Sequence, residues 1–325
     1  MKFRTSVPII EQGPKIDHTS KILLVGSCFV ENIGKKLDYY QFQNLRNPFG
    51  ILYHPGAIYN FTKKVASNYK YEEKDVFFHN EQWHCFDAHS CLNSSTKDAL
   101  LFKLNEGLKE TRYFIENTTH VIFTFGTSWY YKDVKSNLPV ANCHKMDQKN
   151  FKKELLSIKE IVNYINSVCQ DLLTINSGLK VLFTVSPVRH LKDGFIENQR
   201  SKANLITGIH QFLESEKIKD SGTYFYFPAY EIMFDELRDY RFYAEDMIHP
   251  NSQAIAYIWS LFTDAWIAKS ASGLFNSIEK IHKALAHKPF NKNSEKHQIF
   301  LKDLDKKIKN ISKKIPLNNF KRSSL

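Results

Sequence analysis

Lys21-Ile22-Leu23-Leu24-Val25-Gly26-Ser27-Cys28-Phe29-Val30 is a short, partly β-branched apolar run that ends in a small-residue turn and gives way to a helical period over residues 30–37. An uninterrupted apolar run of this length reads as a strand buried on both faces. The pattern recurs. Residues 121–125 end in Gly126-Thr127-Ser128, and residues 181–185 end in Ser186-Pro187. Apolar Leu155, Ile158, Ile161, Ile165 and Val168, three and four apart, predict a helix over 151–173; further helices are expected over 203–213 and about 252–267. An aromatic strand is expected at 224–227, ahead of Pro228. Buried strands alternating with amphipathic helices imply an α/β domain built on a mainly parallel sheet.

Residues 66–100 break this rhythm. They place Trp83, Phe86, several His and two Cys in polar surroundings and read as an insertion or lid on the core. The chain has 325 residues, 42% of them hydrophobic, ample for a large core. Its net charge of +11 is unevenly placed: residues 280–325 carry 13 Lys and Arg against 3 Asp and Glu, which leaves the rest nearly neutral. That partition argues against nucleic acid as a partner of the main domain. It divides the chain into residues 1–275 and a basic tail, 276–325, where Leu301, Leu304, Ile308, Ile311 and Ile315 recur at helical spacing among lysines. Such an amphipathic helix could meet an anionic membrane surface, a protein partner or nucleic acid, or pack back on its own domain. Five cysteines without a framework suit a reducing compartment, and no segment has a signal peptide's pattern or a membrane span's length, so the expectation is a cytoplasmic protein.

In an open α/β sheet, function collects where the carboxyl ends of strands meet helix N-termini. Ser27 stands at the first such turn, where a hydroxyl can attack a carbonyl and backbone N–H groups can receive the oxyanion; a bland alternative is a serine that caps the following helix. Cys28 beside it raises a thiol alternative, disfavoured by the expectation that the next side chain turns away from the site. In Asp246-Met247-Ile248-His249-Pro250 a carboxylate and an imidazole stand three residues apart, a spacing that lets Asp hold Nδ1–H while Nε2 faces outward. The string His84-Cys85-Phe86-Asp87-Ala88-His89-Ser90-Cys91 invites a metal reading, but in extended chain the outer cysteines lie about 20 Å apart, so no metal is expected. Absence of a G-x-x-x-x-G-K loop argues against an NTPase.

Gly26-Ser27-Cys28-Phe29-Val30, then Asn47-Pro48-Phe49-Gly50-Ile51-Leu52-Tyr53, Phe125-Gly126-Thr127-Ser128-Trp129, Asn142-Cys143-His144-Lys145, Val185-Ser186-Pro187-Val188-Arg189-His190 and the segment 239–246 occur in an order that resembles the GSCFA domain family, within the SGNH (GDSL-like) hydrolases. The resemblance covers about residues 20–265. It implies a three-layer α/β/α, flavodoxin-like fold with a mainly parallel sheet, followed here by the basic helical tail. It also implies a triad of Ser27, His249 and Asp246, with oxyanion donors at Ser27 and Gly50. Ser128 stands where the wider superfamily has a donor Asn, a loss that typically costs about 2.7–4 kcal/mol, so Ser128 or Asn142 would be the third donor. His89, Trp129, Arg189 and His190 are candidates to line the substrate site; Arg189, His190, Arg200 and Lys202 cluster after the fourth strand, where they could bind an anionic or sugar group, with solvation at the surface the expected fate of any one of them, and Arg238 and Arg241 are expected in ion pairs bracing the Asp246–His249 segment. The function implied is cofactor-independent removal of a small acyl group from a small-molecule or carbohydrate ester. An acyltransferase on the same triad, or a non-catalytic binder, is the alternative.

Overall fold

Alternate residues of the first strand go to opposite sides of a sheet: Leu23 and Val25 enter one hydrophobic cluster, Ile22 and Leu24 another, and all four are inaccessible to solvent. The computed structural model describes residues 5–316 and 319–320; the first four residues and the end of the basic tail lie outside the described residues. The sheet consists of β1 (Lys21–Gly26), β2 (Gln43–Arg46), β3 (His120–Phe125), β4 (Lys180–Val185) and β5 (Tyr224–Tyr226). All neighbours pair in parallel, in the order β5-β4-β3-β1-β2. That is the flavodoxin-like order, which reverses direction between β1 and β3.

One face is covered by α2 (Pro55–Ala66), α3 (Lys97–Glu116), α4 (Ile158–Ile175) and α5 (Phe195–Leu213), the other by α1 (Phe29–Tyr39), α6 (Ser252–Trp266), α7 (Phe275–Leu285) and α8 (Glu295–Ser312). Three layers result, as the sequence predicts. The helix expected from residue 151 begins later. Ser157 and Glu160 form a capping box that starts α4, and Phe151–Leu155 instead pairs antiparallel with Trp129–Asp133 in a small outlying sheet. Residues 66–100 hold a short hairpin, Phe77–His79 with Gln82–His84, before α3.

The basic tail packs on the domain. Leu304, Ile311 and Ile315 are buried in the same cluster as Ile33 and Leu37 of α1 and Ile258 and Phe262 of α6. Tyr40 donates its hydroxyl hydrogen bond to Glu279 Oε1 at 2.7 Å, and His282 Nε2 lies 2.8 Å from the Tyr39 carbonyl. Lys302, Lys306, Lys307, Lys309, Lys313 and Lys314 remain exposed. Among the described residues no helix is long and apolar enough to cross a membrane.

Candidate functional site

Three chain turns meet at the carboxyl ends of β1, β3 and β4. The first is fixed by Gly26, whose φ of +148° suits glycine and whose Cβ, if it had one, would fall 2.1 Å from the Thr124 carbonyl. Asn47 locks it from outside: its Oδ1 accepts the Gly26 N–H at 2.9 Å while its Nδ2 donates to Glu31. In the second turn the Gly126 N–H donates to the Tyr53 carbonyl at 2.7 Å. A side chain at Gly126 would meet His190 Nε2 at 3.1 Å and Ser27 Cβ at 3.2 Å, so the missing Cβ lets the β1, β3 and β4 turns close on one another.

Just before α6, the Asp246 carboxylate organises its own loop. Oδ1 accepts the backbone N–H groups of Ile248 and His249 at 2.9 and 3.0 Å, and Oδ2 accepts from His249 Nδ1 at 2.6 Å. These bonds hold the Asp246 carboxyl at about 2, and the tautomer they select leaves His249 Nε2 free to accept a proton. Both side chains are exposed. Arg189, a candidate to line the substrate site, clamps this loop. Its guanidinium donates to the Met247 carbonyl and stacks over Tyr243 at 4.3 Å and Tyr240 at 5.4 Å, and its backbone N–H donates to the Ile248 carbonyl. Among the described residues Arg238 and Arg241 pair only locally, with Asp235 and Asp239, and not with the Asp246–His249 segment they were expected to brace.

Ser27 is wholly buried. Its Oγ accepts from the Phe29 N–H at 3.4 Å in the manner of a helix cap, and its own N–H donates to the Thr124 carbonyl at 3.0 Å. No hydrogen bond joins it to His249 among the described residues. The other expected oxyanion donors are also engaged: the Gly50 N–H with the Asn47 carbonyl at 2.7 Å, and Ser128, inaccessible, with Ser201 through both N–H and Oγ. Asn142 uses its Oδ1 to accept the His144 N–H. Trp129 donates from Nε1 to the Glu197 carbonyl and carries Lys153 over its ring. His89 packs against Gly50, its Nδ1 accepting from the Cys91 N–H.

Cys28, in contrast, is half-buried at the N-cap of α1, makes no capping bond with its side chain, and lies within Coulombic reach of Asp246 and Lys202. Burial pushes its thiol up; the Lys202 charge opposes that rise. Lys202 corrects the expectation of a solvated side chain: it is 1% exposed and donates to the carbonyls of Gly126 at 2.6 Å and Ser186 at 2.7 Å. Burial draws its ammonium down to about 7. Arg200 is exposed, as expected. His190 completes the cluster. Burial, with the charges of Lys202 and His249, lowers its imidazole to about 3, so the ring is neutral, and among the described residues its buried Nε2 has no hydrogen-bond partner. Lys202 was legible in one respect: it falls in register with Leu205, Ile209 and Phe212 on the buried face of α5.

Cys85 is buried, and Asp87 is taken by Lys64 and Tyr71. Among the described residues no group of three His, Cys, Asp or Glu side chains could hold a metal ion.

Fold and site together define an open, parallel α/β protein with a histidine–carboxylate pair at the carboxyl edge of its sheet. The chain belongs to the GSCFA family, whose profile matches residues 21–262; a second profile, GSCFA domain protein, C-terminal domain, matches residues 278–323. No curated protein matches the chain. A solved structure described as a carbohydrate esterase family 3 from Talaromyces cellulolyticus is 8% identical, covering 80% of this chain and 99% of that one with a TM-score of 0.34, a likeness too slight to bear on fold or activity.

Proposed function

We propose that the protein hydrolyses esters of small acyl groups through a covalent acyl-enzyme, with His249 as proton carrier and Asp246 as its orienting carboxylate. The observation that carries this reading is the 2.6 Å contact between His249 Nδ1 and Asp246 Oδ2 in an exposed loop at the carboxyl edge of the sheet. A carboxylate that fixes the imidazole tautomer and offsets the charge of imidazolium is what a histidine needs to take a proton from a nucleophile and return it to a leaving alcohol. The nucleophile belongs to the turn between β1 and α1, where a helix N-terminus favours negative charge. The exposure of both side chains leaves room beside the pair for a bulky ester such as that of a carbohydrate. The five free cysteines agree with a cytoplasmic setting.

Purified protein is expected to release p-nitrophenol from short-chain p-nitrophenyl esters, and His249→Ala to lower kcat/KM by at least about a thousandfold while leaving the fold intact. Full turnover by His249→Ala refutes the reading.

A further inference from the structure

We propose that His190 Nε2–H donates the hydrogen bond that receives the carbonyl oxygen of the ester. This rests on the ester-hydrolase reading for its chemistry, while its place in the site rests on separate geometry.

An oxyanion needs a polar hydrogen that no other acceptor has taken. At the carboxyl edge of this sheet the N–H groups of Ser27, Gly50 and Gly126 donate to the carbonyls of Thr124, Asn47 and Tyr53, and that of Ser128 donates to Ser201 Oγ. His190 Nε2 is different. It is buried and, among the described residues, has no hydrogen-bond partner. It stands over Gly126: a Cβ on that residue would lie 3.1 Å from Nε2 and 3.2 Å from Ser27 Cβ, so the nitrogen and the turn between β1 and α1 border the same gap. The Tyr53 carbonyl, 3.2 Å from the same point, already accepts from both Gly126 and Thr127. A buried polar nitrogen without a partner is costly, and a carbonyl oxygen in this gap relieves that cost.

The ring is positioned by its own main chain. The His190 N–H donates at 2.9 Å to Oδ1 of Asn198, a residue of α5 that is 2% exposed. The preceding N–H, of Arg189, donates at 3.3 Å to the carbonyl of Ile248, the neighbour of His249. His190 is thus packed on the β1–α1 turn across Gly126 and tied to the His249 loop through Arg189. The half-buried Tyr53 ring stands edge-on to the imidazole at 5.5 Å, and entry of an ester carbonyl requires that ring to give way. Burial keeps the imidazole neutral, and a neutral imidazole can polarise a carbonyl without giving up its proton.

The step needs no further reactant than water. As the nucleophile bonds to the carbonyl carbon, its proton passes to His249 Nε2 and the carbonyl electron pair moves onto oxygen. That oxygen draws in the His190 Nε2–H without taking the proton. When the pair returns, the bond to the alkoxy oxygen breaks and the alcohol leaves with the proton from His249. Water then gives a proton to His249 and its oxygen to the acyl carbon, the acyl-enzyme bond breaks, and the nucleophile regains its proton as the acid departs.

Two readouts on the full chain test this. In the first, turnover of p-nitrophenyl acetate is compared in His190→Leu, which fills the space without a donor, and His190→Gln, which keeps an N–H near the same place. The leucine variant is expected to lose about a hundredfold to a thousandfold in kcat with KM within about threefold, and the glutamine variant to stay within about tenfold of the wild-type kcat. Full kcat in folded His190→Leu, or equal losses in the two variants, overturns the proposal. In the second, nitrogen-15 NMR of the wild type reads the tautomer of His190 and its response to acetate, the signal being identified by its absence in His190→Gln. A proton on Nε2 at neutral pH, moving downfield when acetate is added, is the expected result. A ring that carries its proton on Nδ1, or an Nε2 proton that stays put at every acetate concentration the fold tolerates, overturns the proposal whether or not the leucine variant folds. A shift with acetate in a protein that turns over no ester leaves the oxygen site standing and removes the hydrolase reading.

Discussion

Lys202 Nζ donates to the Gly126 carbonyl at 2.6 Å from a side chain that is 1% exposed. The bond ties α5 to the end of the central strand β3, and it places a buried amine at the point where the β1, β3 and β4 turns meet. The consequence is for stability.

Stability is expected to rise with pH between about 7 and 10. Burial depresses the Lys202 ammonium to about 7, against about 10.4 for an unfolded lysine. Between those values the unfolded chain binds a proton that the folded chain does not, so each pH unit favours the folded state by up to about 1.4 kcal/mol. The contribution is fully present above pH 10.4 and is lost as pH falls toward 7. Urea unfolding at pH 7, 8 and 9 is expected to show this slope in the wild type and a flatter one in Lys202→Met; parallel slopes contradict the depressed lysine.

Asp246→Asn is expected to lower ester turnover by about three to four orders of magnitude with little change in Tm. The carboxylate accepts three hydrogen bonds, two from backbone and one from His249, and it is exposed, so its loss disturbs the imidazole more than the fold. Since Asp246 is held at about 2, it stays ionised across the working range. The acid limb of kcat/KM therefore has no component from Asp246 above about pH 4. A variant that keeps a tenth or more of the activity separates the Asp246–His249 contact from catalysis.

Much of this was legible in the sequence because it is local. Apolar runs closed by Gly26, Gly126 and Ser186 give the three central strands, and a period of three and four gives α4, α5 and α6. The Asp246–His249 contact follows from a spacing of three residues. What was hidden depends on partners distant in the chain. Phe151–Leu155 satisfies a helical period, yet the chain from residue 129 offers it a strand to pair with. Ser27 and Cys28 are chemically plausible alike, and only the packing of Gly126 and the bond to Phe29 decide which of the two faces inward. The N–H partners of three expected oxyanion donors are hidden in the same way, since Thr124, Asn47 and Ser201 accept from Ser27, Gly50 and Ser128 across long stretches of chain or through tight turns.

Gly26→Ala is expected to prevent folding or to cost at least about 3 kcal/mol. The residue combines a φ that L side chains rarely adopt with a backbone oxygen, that of Thr124, at 2.1 Å from the added carbon. Relief requires β1 to part from β3, which pair in register from Ile22 with His120 through Gly26 with Thr124. Soluble Gly26→Ala protein with unchanged thermal unfolding rules out the described turn.

Leu304→Ala is expected to destabilise the whole protein by about 2–5 kcal/mol, as loss of a core leucine does elsewhere. Leu304 belongs to α8, in the segment whose composition suggests a detached basic tail, yet it is 3% exposed and packs in the cluster that contains Leu37, Ile258 and Ile278. The lysines around it point outward, so the charge pattern and the apolar pattern report different things: the first describes a surface, the second a part of the core. Replacing exposed Lys306 and Lys307 by Gln is expected to change Tm by less than about 2 °C, within the range of ordinary surface substitutions. Thermal unfolding of the three variants distinguishes the cases, because a tail that only leans on the domain leaves all three transitions where the wild type has its own.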